Sequence, residues 1–404
     1  MPECGLGDLV SMRFTTILFH WYQVRRPSTM EPEMRSLPSS FWKGGENRFL
    51  SSTALAQSAF HQLDVGRVSQ YLSILRKGVK CKVSNQFTNG SQHLVIEVVF
   101  EDGAVWIARI RLSKKLSAHE KMAMESEICV MRTVRSRTAV PVPEVYNWDS
   151  GTDNVFGAPF ILMEAIHGRC VCNDPSFPSI KYKVLDQMAS IMVQLSSLRF
   201  PAIGSLTTGD ISTMVIGDTV VGPFICSTDY YLHFVHTYEE TLRQTTDENE
   251  RNEMLFTCSF YRHTAIPHFI HSAGPFPLCH VDFGLHNTLV NDAGDIVAVI
   301  DWSNSRTCPW ESFATFPLPI SVVWTKRAKY PREKWQQLQS DQAIFVQALK
   351  RYEKQFPTDA RLSELIASPS VIAAEGFEAL MYDQRQAHRW SKIVRGLIDE
   401  ELMT

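Results

Sequence analysis

The spacing of apolar positions changes several times along the chain. Between Ser52 and Leu75, apolar residues recur mostly at three- and four-residue steps, which predicts one or two short helices. Three segments then follow the two-residue period of strands, namely KCKVS, HLVIEVVF and VWIARIRL, separated by NQFTNGSQ and EDGA. The glycine of EDGA suits a hairpin turn. We therefore expect helices followed by three antiparallel strands.

A long helix and a fourth strand come next. The segment SAHEKMAMESEICVMRTVRSR predicts a helix that is closed by Pro141 and Pro143, and the apolar run PFILMEAI predicts a strand leading into Gly168. After Gly168 the pattern is mainly helical, with apolar stripes over 185–198 and 335–352 that indicate core faces. The order β-β-β-α-β predicts a small sheet with one helix against it, followed by a helical region.

Length and composition allow a chain of this organisation to fold. The 404 residues suit two lobes plus appendages, and 44% hydrophobic with 21% charged residues is ordinary for a globular protein. The formal net charge of −3 comes from interspersed signs, so no chain-wide field attracts nucleic acid or an anionic membrane. No apolar run approaches the roughly 18–20 residues of a membrane span. We expect neither nucleic acid nor membrane as a partner.

Cysteine usage bears on the compartment. The nine cysteines include no CxxC pair, and Cys170 and Cys172 are too close in an extended segment for an easy mutual bridge. This pattern indicates reduced thiols and a cytoplasmic location.

The stretch LCHVDFGLHNTLVNDAGDIVAVIDW carries the candidate chemistry. His280 and Asp282 precede a predicted hairpin, Asn287 opens it and Asp301 closes it, so strand pairing brings Asn287 and Asp301 into one neighbourhood. Mg²⁺ accepts one or two carboxylates with amide, water and phosphate oxygens. Asp282 would remain available to orient or deprotonate a hydroxyl, and these are the parts that phosphoryl transfer uses.

These residues resemble a known family. The spacing His280-x-Asp282-x₄-Asn287, with Asp301 at the end of the hairpin, resembles the catalytic loop and metal aspartate of the kinase-like superfamily. The flanks GPFPLCHVDFGLHN and VIDWSNSRTCPWESFATFPL are more similar to the aminoglycoside-phosphotransferase family, in particular its fungal members of unassigned substrate. The resemblance covers roughly residues 70–325.

The resemblance implies a fold and a division of the chain. It implies a bilobal, protein-kinase-like α+β fold with a small antiparallel-sheet N-lobe and a mainly helical C-lobe. We expect a leader or partly ordered arm over 1–50, the N-lobe over 51–168, and the C-lobe with catalytic loop and substrate site over 169–404.

The resemblance also implies residue roles around the hairpin. Asp282 would be the catalytic base, Asn287 and Asp301 the metal ligands, and His280 a structural support for the loop. The turn aspartates Asp292 and Asp295 are excluded from the site. Two neighbours keep simpler interpretations: His286 is more readily a loop histidine satisfied by backbone than a substrate contact, and Cys279 is more readily a core residue.

In the predicted N-lobe, the phosphate-pairing cation falls at Arg109 and its helix partner at Glu127. An arginine can hold such a pair bidentately. Taken alone, the two could be a solvated ion pair, and Arg111 and Glu125 are near competitors for the two positions.

Two segments would complete the nucleotide site. NQFTNGSQ resembles a phosphate-covering turn in which Gly90 and Ser91 are best placed to offer backbone N–H groups. In ILMEAIHG, Glu164 to Ile166 would be the linker whose backbone meets adenine.

Taken together, the sequence predicts an ATP- and Mg²⁺-dependent phosphotransferase acting on a small-molecule hydroxyl. The rival from another class is a nucleotide-binding pseudoenzyme that acts as an interaction scaffold. Two features motivate it: Arg109 is an arginine where lysine is more common, and the phosphate-covering turn has only one glycine. A protein kinase ranks lower, because Trp302-Ser303 stands where Phe-Gly would follow the metal aspartate. The acceptor and the oligomeric state stay open.

Overall fold

The computed structural model describes residues 50–377, except 175, 209, 217–218, 244–246, 270–272, 318–319, 322–330, 357–361, 369 and 375–376. The predicted leader, residues 1–50, lies outside the described residues apart from Leu50. The domain bounds 51–168 and 169–404 remain predictions.

A five-stranded antiparallel sheet occupies the early part of the chain. Its strands are β1 (Cys81–Asn89), β2 (His93–Phe100), β3 (Val105–Arg111), β4 (Val145–Asp149) and β5 (Phe160–Glu164). They pair in the order β1-β2-β3-β5-β4. The three predicted strands and the hairpin turn at EDGA are therefore confirmed, and PFILMEAI supplies β5.

Two parts of this sheet differ from the prediction. β1 continues through Asn89, so most of NQFTNGSQ is strand and only 90–92 form the turn. A register shift between Val83 and Phe87 breaks the alternation there, and this hides the strand in the sequence. β4 was not predicted either, because its sequence VYNWD is short and contains a shift of its own.

Helices cover both faces of the sheet. On one face, α1 (Leu50–His61) buries Ala56, and α2 (Val65–Leu75) buries Val68 and Leu72, in one core with Leu94 and Ile96 of β2. On the other face lies α3 (Ala118–Arg137), the helix predicted after β3. Its first turn is fixed by a capping box, in which the Ser117 and Glu120 side chains each accept from the other's backbone N–H. The capping box and the packing of α3 against the sheet therefore determine where α3 places its side chains.

The later part of the chain is mainly helical, as predicted. Its helices are α4 (Phe177–Ser197), α5 (Ser227–Leu242), α6 (Glu248–Phe260), α7 (Trp310–Phe313), α8 (Arg332–Gln355) and α9 (Leu362–Leu365). A π-helical turn spans Tyr261–Ala265, and single 3₁₀ turns span Val171–Asn173, Ile266–His268 and Leu285–Asn287. The predicted stripes lie on α4 and α8, which bury Met188, Leu195 and Phe345 in one core that also contains Trp302.

Short strands connect these helices. They are β6 (Arg169–Cys170), β7 (Arg199–Phe200), β8 (Ser205–Leu206), β9 (Ile211–Ser212), β10 (Met214–Ile216), β11 (Thr219–Val221), β12 (Phe276–Cys279), β13 (Thr288–Val290), β14 (Ile296–Val299) and β15 (Arg306–Thr307). They form the groups β15-β12-β7, β14-β13-β6, β10-β11 and β8-β9. Among the described residues, no helix is both long enough and apolar enough to cross a membrane.

The linker between the two parts runs close to the β13–β14 hairpin. A Cβ placed on Gly168 would lie 2.7 Å from Val297 Cγ2 and 3.1 Å from Val290 O, closer than packed side chains tolerate. Glycine at 168 therefore lets the linker lie against the hairpin that carries the candidate site.

Candidate functional site

The β13–β14 hairpin places Asn287 and Asp301 side by side. Thr288 pairs with Val299, and the Ile300 N–H donates to Asn287 O over 2.9 Å. Val290 and Val299 are fully buried, which anchors the hairpin in the core. The structure thus brings together the two residues that the sequence predicts as neighbours.

The loop before the hairpin presents Asp282 to solvent in a fixed orientation. Its side chain is 59% exposed, and Oδ2 is 3.1 Å from Asn287 Nδ2 and 2.9 Å from His286 Nε2. Asn287 Nδ2 also donates to Asp282 O over 2.9 Å. Asp282 Oδ1 forms no hydrogen bond within the described residues. The carboxylate is therefore held through one oxygen, while the other can accept a hydrogen bond from a ligand.

The sequence did not reveal the role of His286 in the site. The prediction that backbone groups satisfy this histidine is wrong, because its Nε2 contacts the Asp282 carboxylate. The four-residue spacing between them was a signal, but a loop conformation decides whether such a pair meets.

His280 supports the loop from inside the protein. It is 3% exposed, its Nε2 lies 3.0 Å from Ile300 O, and its ring packs edge-on against Trp302 with centroids 4.5 Å apart. Burial lowers the pKa of His280, although the backbone carbonyl and the Asp301 and Asp282 charges act in the opposite direction. A neutral imidazole donating to Ile300 O therefore ties the start of the loop to the end of the hairpin.

Asp301 has an uncommon backbone conformation. Its φ is +58°, in the left-handed region that few residues other than glycine, asparagine and aspartate enter. Its side chain is 52% exposed, Oδ1 accepts from the Ser303 hydroxyl over 2.8 Å, and Arg109 Nη1 lies 3.8 Å away. A non-glycine residue held in this region is a feature of functional sites.

The donor set around Asp301 and Asn287 fits a magnesium ion. Both amide hydrogens of Asn287 point to Asp282, so its Oδ1 is left as an acceptor that no described residue engages. Asp301 adds a half-exposed carboxylate. No group of three or more His, Cys, Asp or Glu suited to a metal occurs in the described part of the chain. One carboxylate and one amide oxygen suit an ion that takes its other ligands from water and phosphate.

Across from the hairpin, Arg109 of β3 pairs with Glu127 of α3. Arg109 Nη2 lies 2.5 Å from Glu127 Oε1, and the two side chains are 13% and 6% exposed. Burial alone would lower the pKa of Arg109, but Glu127 and Asp301 together raise it above its ordinary value. The pair is buried, so it is not the solvated ion pair that the sequence left open.

The near competitors have other surroundings. Arg111 pairs with Glu120 over 2.7 Å and also donates to Gln92 of the turn before β2. Glu125 is exposed on the outer side of α3. Of the candidates on β3 and α3, the structure therefore pairs Arg109 with Glu127.

The turn between β1 and β2 requires a correction. Gly90 was predicted to offer its backbone N–H to a phosphate, but this N–H donates to His93 O over 3.1 Å and closes the turn. Gly90 has an ordinary φ, and a Cβ there would meet nothing within 4 Å. A phosphate at Gly90 would have to replace the bond to His93. The role predicted for Ser91 in the same turn stays a prediction.

The linker after β5 retains one predicted backbone donor. The Glu164 N–H donates to Glu144 O over 2.8 Å, and its carboxylate accepts from Arg135 Nη1 over 3.0 Å. The Ile166 N–H forms no hydrogen bond with any described residue. Ile166 can therefore donate to a ligand, whereas Glu164 has only its carbonyl to offer.

Two cavities adjoin these side chains. A cavity of about 570 Å³ is lined by Arg109, His93 and Ser303 among others. A smaller one of about 150 Å³ is lined by Asp282 and by aromatic side chains that include Phe316. The site thus has space on the sheet side of Asp301 and beside Asp282.

His93 should make the protein more sensitive to acid. Burial, followed by the charges of Arg109 and Arg111, lowers the pKa of His93 to about 2. The unfolded chain takes up this proton near pH ~6.5. The stability that neutral His93 contributes is therefore complete above pH ~6.5 and is lost as the pH falls towards the folded value.

Urea unfolding at pH 7 and pH 5 measures this effect. We expect the free energy of unfolding to fall less between the two pH values in His93→Gln than in the wild type. His61→Gln, at an exposed histidine, is the control and should retain the wild-type slope. Equal slopes for His93→Gln and the wild type would contradict the prediction.

Comparison with known proteins gives one family and several more distant likenesses. Residues 85–310, more than half of the chain, match the family model described as the phosphotransferase enzyme family, APH. A subtelomeric hrmA-associated cluster protein of Aspergillus fumigatus is 30% identical over 157 residues, which are 35% of this chain and 29% of that protein. The altered inheritance of mitochondria protein 9 of Yarrowia lipolytica is 32% identical over 83 residues, 20% of this chain and 14% of that protein. The chain thus spans less than a third of the length of these relatives.

Solved structures of phosphotransferases and kinases also match the chain, at low identity. A putative fructosamine-3-kinase from Thermobifida fusca has a TM-score of 0.49 at 13% identity, over 84% of this chain and all of that one. A thermostable mutant of the aminoglycoside phosphotransferase APH(4)-Ia has a TM-score of 0.45 at 14% identity, over 83% of this chain and all of that one.

Proposed function

The chain belongs to the phosphotransferase enzyme family, and we propose on this basis that it transfers the γ-phosphate of ATP to a hydroxyl group of a small molecule. The observation that carries the proposal is the meeting of three side chains at one hairpin. The Asp282 carboxylate accepts a hydrogen bond from the Asn287 side-chain amide. The backbone carbonyl of Asn287 accepts from the N–H of Ile300, the residue before Asp301. The Asp301 carboxylate in turn lies 3.8 Å from Arg109 Nη1.

Asp282 would act as the base. Its Oδ2 is occupied by Asn287 and His286, which leaves Oδ1 to accept the proton of an incoming hydroxyl. A base held in this way contributes about 10²–10⁴-fold to the rate. His280 would act indirectly, because its ring contacts Ile300 and Trp302 and so positions the loop.

Asn287 and Asp301 would hold Mg²⁺ through one amide and one carboxylate oxygen. When bound, the metal neutralises phosphate charge and so favours transfer. Arg109 would pair with phosphate oxygens from the sheet side, while Glu127 keeps its guanidinium in place. The backbone of Glu164 and Ile166 would meet adenine. The groups that would bind ATP thus come both from the sheet-rich early part of the chain and from its mainly helical later part.

The cavity beside Asp282 would receive the acceptor. Its lining includes Val281, Phe283, Phe313 and Phe316 around the carboxylate. Its volume of about 150 Å³ suits a small group, and the aromatic lining favours an acceptor that carries an apolar part next to its hydroxyl.

The proposal is tested by searching for product. Purified protein, ATP and Mg²⁺ are incubated with a small-molecule extract, and the mixture is searched by mass spectrometry for compounds that gain one phosphoryl group. Asp282→Asn serves as the control, since the substitution preserves the shape of the side chain and is expected to leave the fold and nucleotide affinity unchanged. A product formed only by the wild type supports the proposal. Nucleotide binding without any transfer in either protein would favour the scaffold instead.

A further inference from the structure

Two thiols meet beside the catalytic loop. Cys170 ends β6 and Cys172 lies in the 3₁₀ turn Val171–Asn173, with their sulfurs 2.9 Å apart. The segment is not extended as predicted, because the 3₁₀ turn folds the two side chains towards each other. Both are thiols in this structure, and Cys172 is exposed.

The pair contacts the segment that orients Asp282. Cys170 Sγ lies 3.3 Å from His286 O and 3.5 Å from Leu285 O. These carbonyls belong to the turn Leu285–Asn287, whose side chains His286 and Asn287 hold the Asp282 carboxylate. Cys170 is therefore in direct contact with the backbone of the turn that positions Asp282.

We propose that Cys170 and Cys172 form a redox-sensitive pair that a peroxide converts reversibly to a disulfide. The exposed Cys172 thiol takes one oxygen from hydrogen peroxide, giving a sulfenic acid and one water. The Cys170 thiol then attacks that sulfur, forming the S–S bond and releasing the second water. Two electrons pass from the two sulfurs to the peroxide, and a dithiol returns them.

Disulfide formation has a local structural consequence. The sulfurs must approach from 2.9 Å to a bond length of about 2.05 Å. Cys170 also loses the proton with which it can donate to His286 O and Leu285 O. The turn that holds Asp282 thus loses a support on oxidation. Formation of the disulfide does not depend on the proposed function. The effect of the disulfide on turnover does rest on the proposed function.

Other thiols are less suited to this reaction. Cys258 is fully buried, and burial raises its pKa to about 12, so it remains a thiol. Burial also raises the pKa of Cys81 and of Cys129. Among the described cysteines, Cys170 and Cys172 combine a thiol partner at contact distance with an exposed sulfur.

The experiment uses the full chain and a single tryptic peptide. Cleavage after Arg169 and Lys181 releases CVCNDPSFPSIK, which contains both thiols and no other cysteine. Protein treated with hydrogen peroxide is alkylated, digested without reductant and mapped by mass. Turnover is measured before oxidation, after it, and after dithiothreitol.

We expect the peptide to lose two hydrogen masses and to resist alkylation until dithiothreitol is added. We expect kcat to fall about tenfold on oxidation and to recover when dithiothreitol restores the thiols. A loss of this size is smaller than the ~10²-fold that a 1 Å misplacement of reacting groups can cost. Cys172→Ser should keep its kcat under the same treatment. Cys81→Ser is the matched control, since Cys81 also contacts a backbone carbonyl, Ser69 O at 3.4 Å, and it should respond as the wild type.

A peptide that stays alkylatable, or that gains oxygen without losing two hydrogens, overturns the proposal. A disulfide that forms with kcat unchanged overturns its regulatory part. If no acceptor is phosphorylated at all, the proposed function fails while the peptide mass still decides whether the redox pair exists.

Discussion

Replacing Asp282 by asparagine is expected to lower kcat by about 10²- to 10⁴-fold, the usual contribution of a positioned base. The change preserves the shape of the side chain but removes the charge that accepts the hydroxyl proton. Because Asp282 does not contact Arg109 or the linker in this structure, the Kd for ATP should change little. Steady-state kinetics and calorimetric titration of nucleotide measure the two quantities separately.

Asp292→Asn is the matched control for this variant. Asp292 belongs to the same hairpin, but its side chain is fully exposed at the turn, where it pairs with Arg169. Its substitution should leave kcat within twofold of the wild type. Wild-type turnover in Asp282→Asn would remove Asp282 from the mechanism, whereas equal losses in both variants would point to damage of the hairpin.

Removing the charge of Arg109 should have the largest effect on stability. In Arg109→Met, the carboxylate of Glu127 remains buried without its partner, and breaking such a pair costs about 3–5 kcal/mol of unfolding free energy. In Arg109→Met with Glu127→Met, no uncompensated charge remains, so most of that stability should return. ATP affinity should remain weak in both, because the proposed phosphate partner is missing. Urea unfolding and nucleotide titration distinguish the two roles.

Arg111→Met provides the comparison on the same strand. Its partner Glu120 is 42% exposed, so water can solvate the carboxylate that is left, and the expected cost is only about 0–1 kcal/mol. If Arg109→Met costs no more than Arg111→Met, the buried pair does not contribute as the structure indicates. If the double variant binds ATP like the wild type, Arg109 is not the phosphate partner.

The parts of the fold that the sequence predicted are those with a regular period. β3 alternates strictly and β2 does so except at the buried Glu97, and the buried residues of α4 and α8 recur at helical spacing. Each of these patterns marks a buried face in the structure. The end of β1 and all of β4 escaped prediction, because register shifts break the alternation in both. Periodicity is a local signal, and a bulge removes it without removing the strand.

The candidate site shows a similar division. Hairpin pairing brings Asn287 and Asp301 together, and chain spacing alone was enough to predict this. The contact of His286 with Asp282 and that of Gly90 with His93 depend on loop conformation, which no repeating pattern encodes. The meeting of Cys170 and Cys172 depends in the same way on a single 3₁₀ turn.

The left-handed backbone of Asp301 restricts which amino acids this position tolerates. Glycine and asparagine accept a φ of +58° but carry no charge, whereas glutamate keeps the charge on a side chain that rarely enters this region. Aspartate alone among the common residues combines a carboxylate with ready access to that conformation. A change to glutamate, chemically conservative in most places, would therefore be disruptive at 301 for a reason that lies in the main chain and not in the side chain's charge.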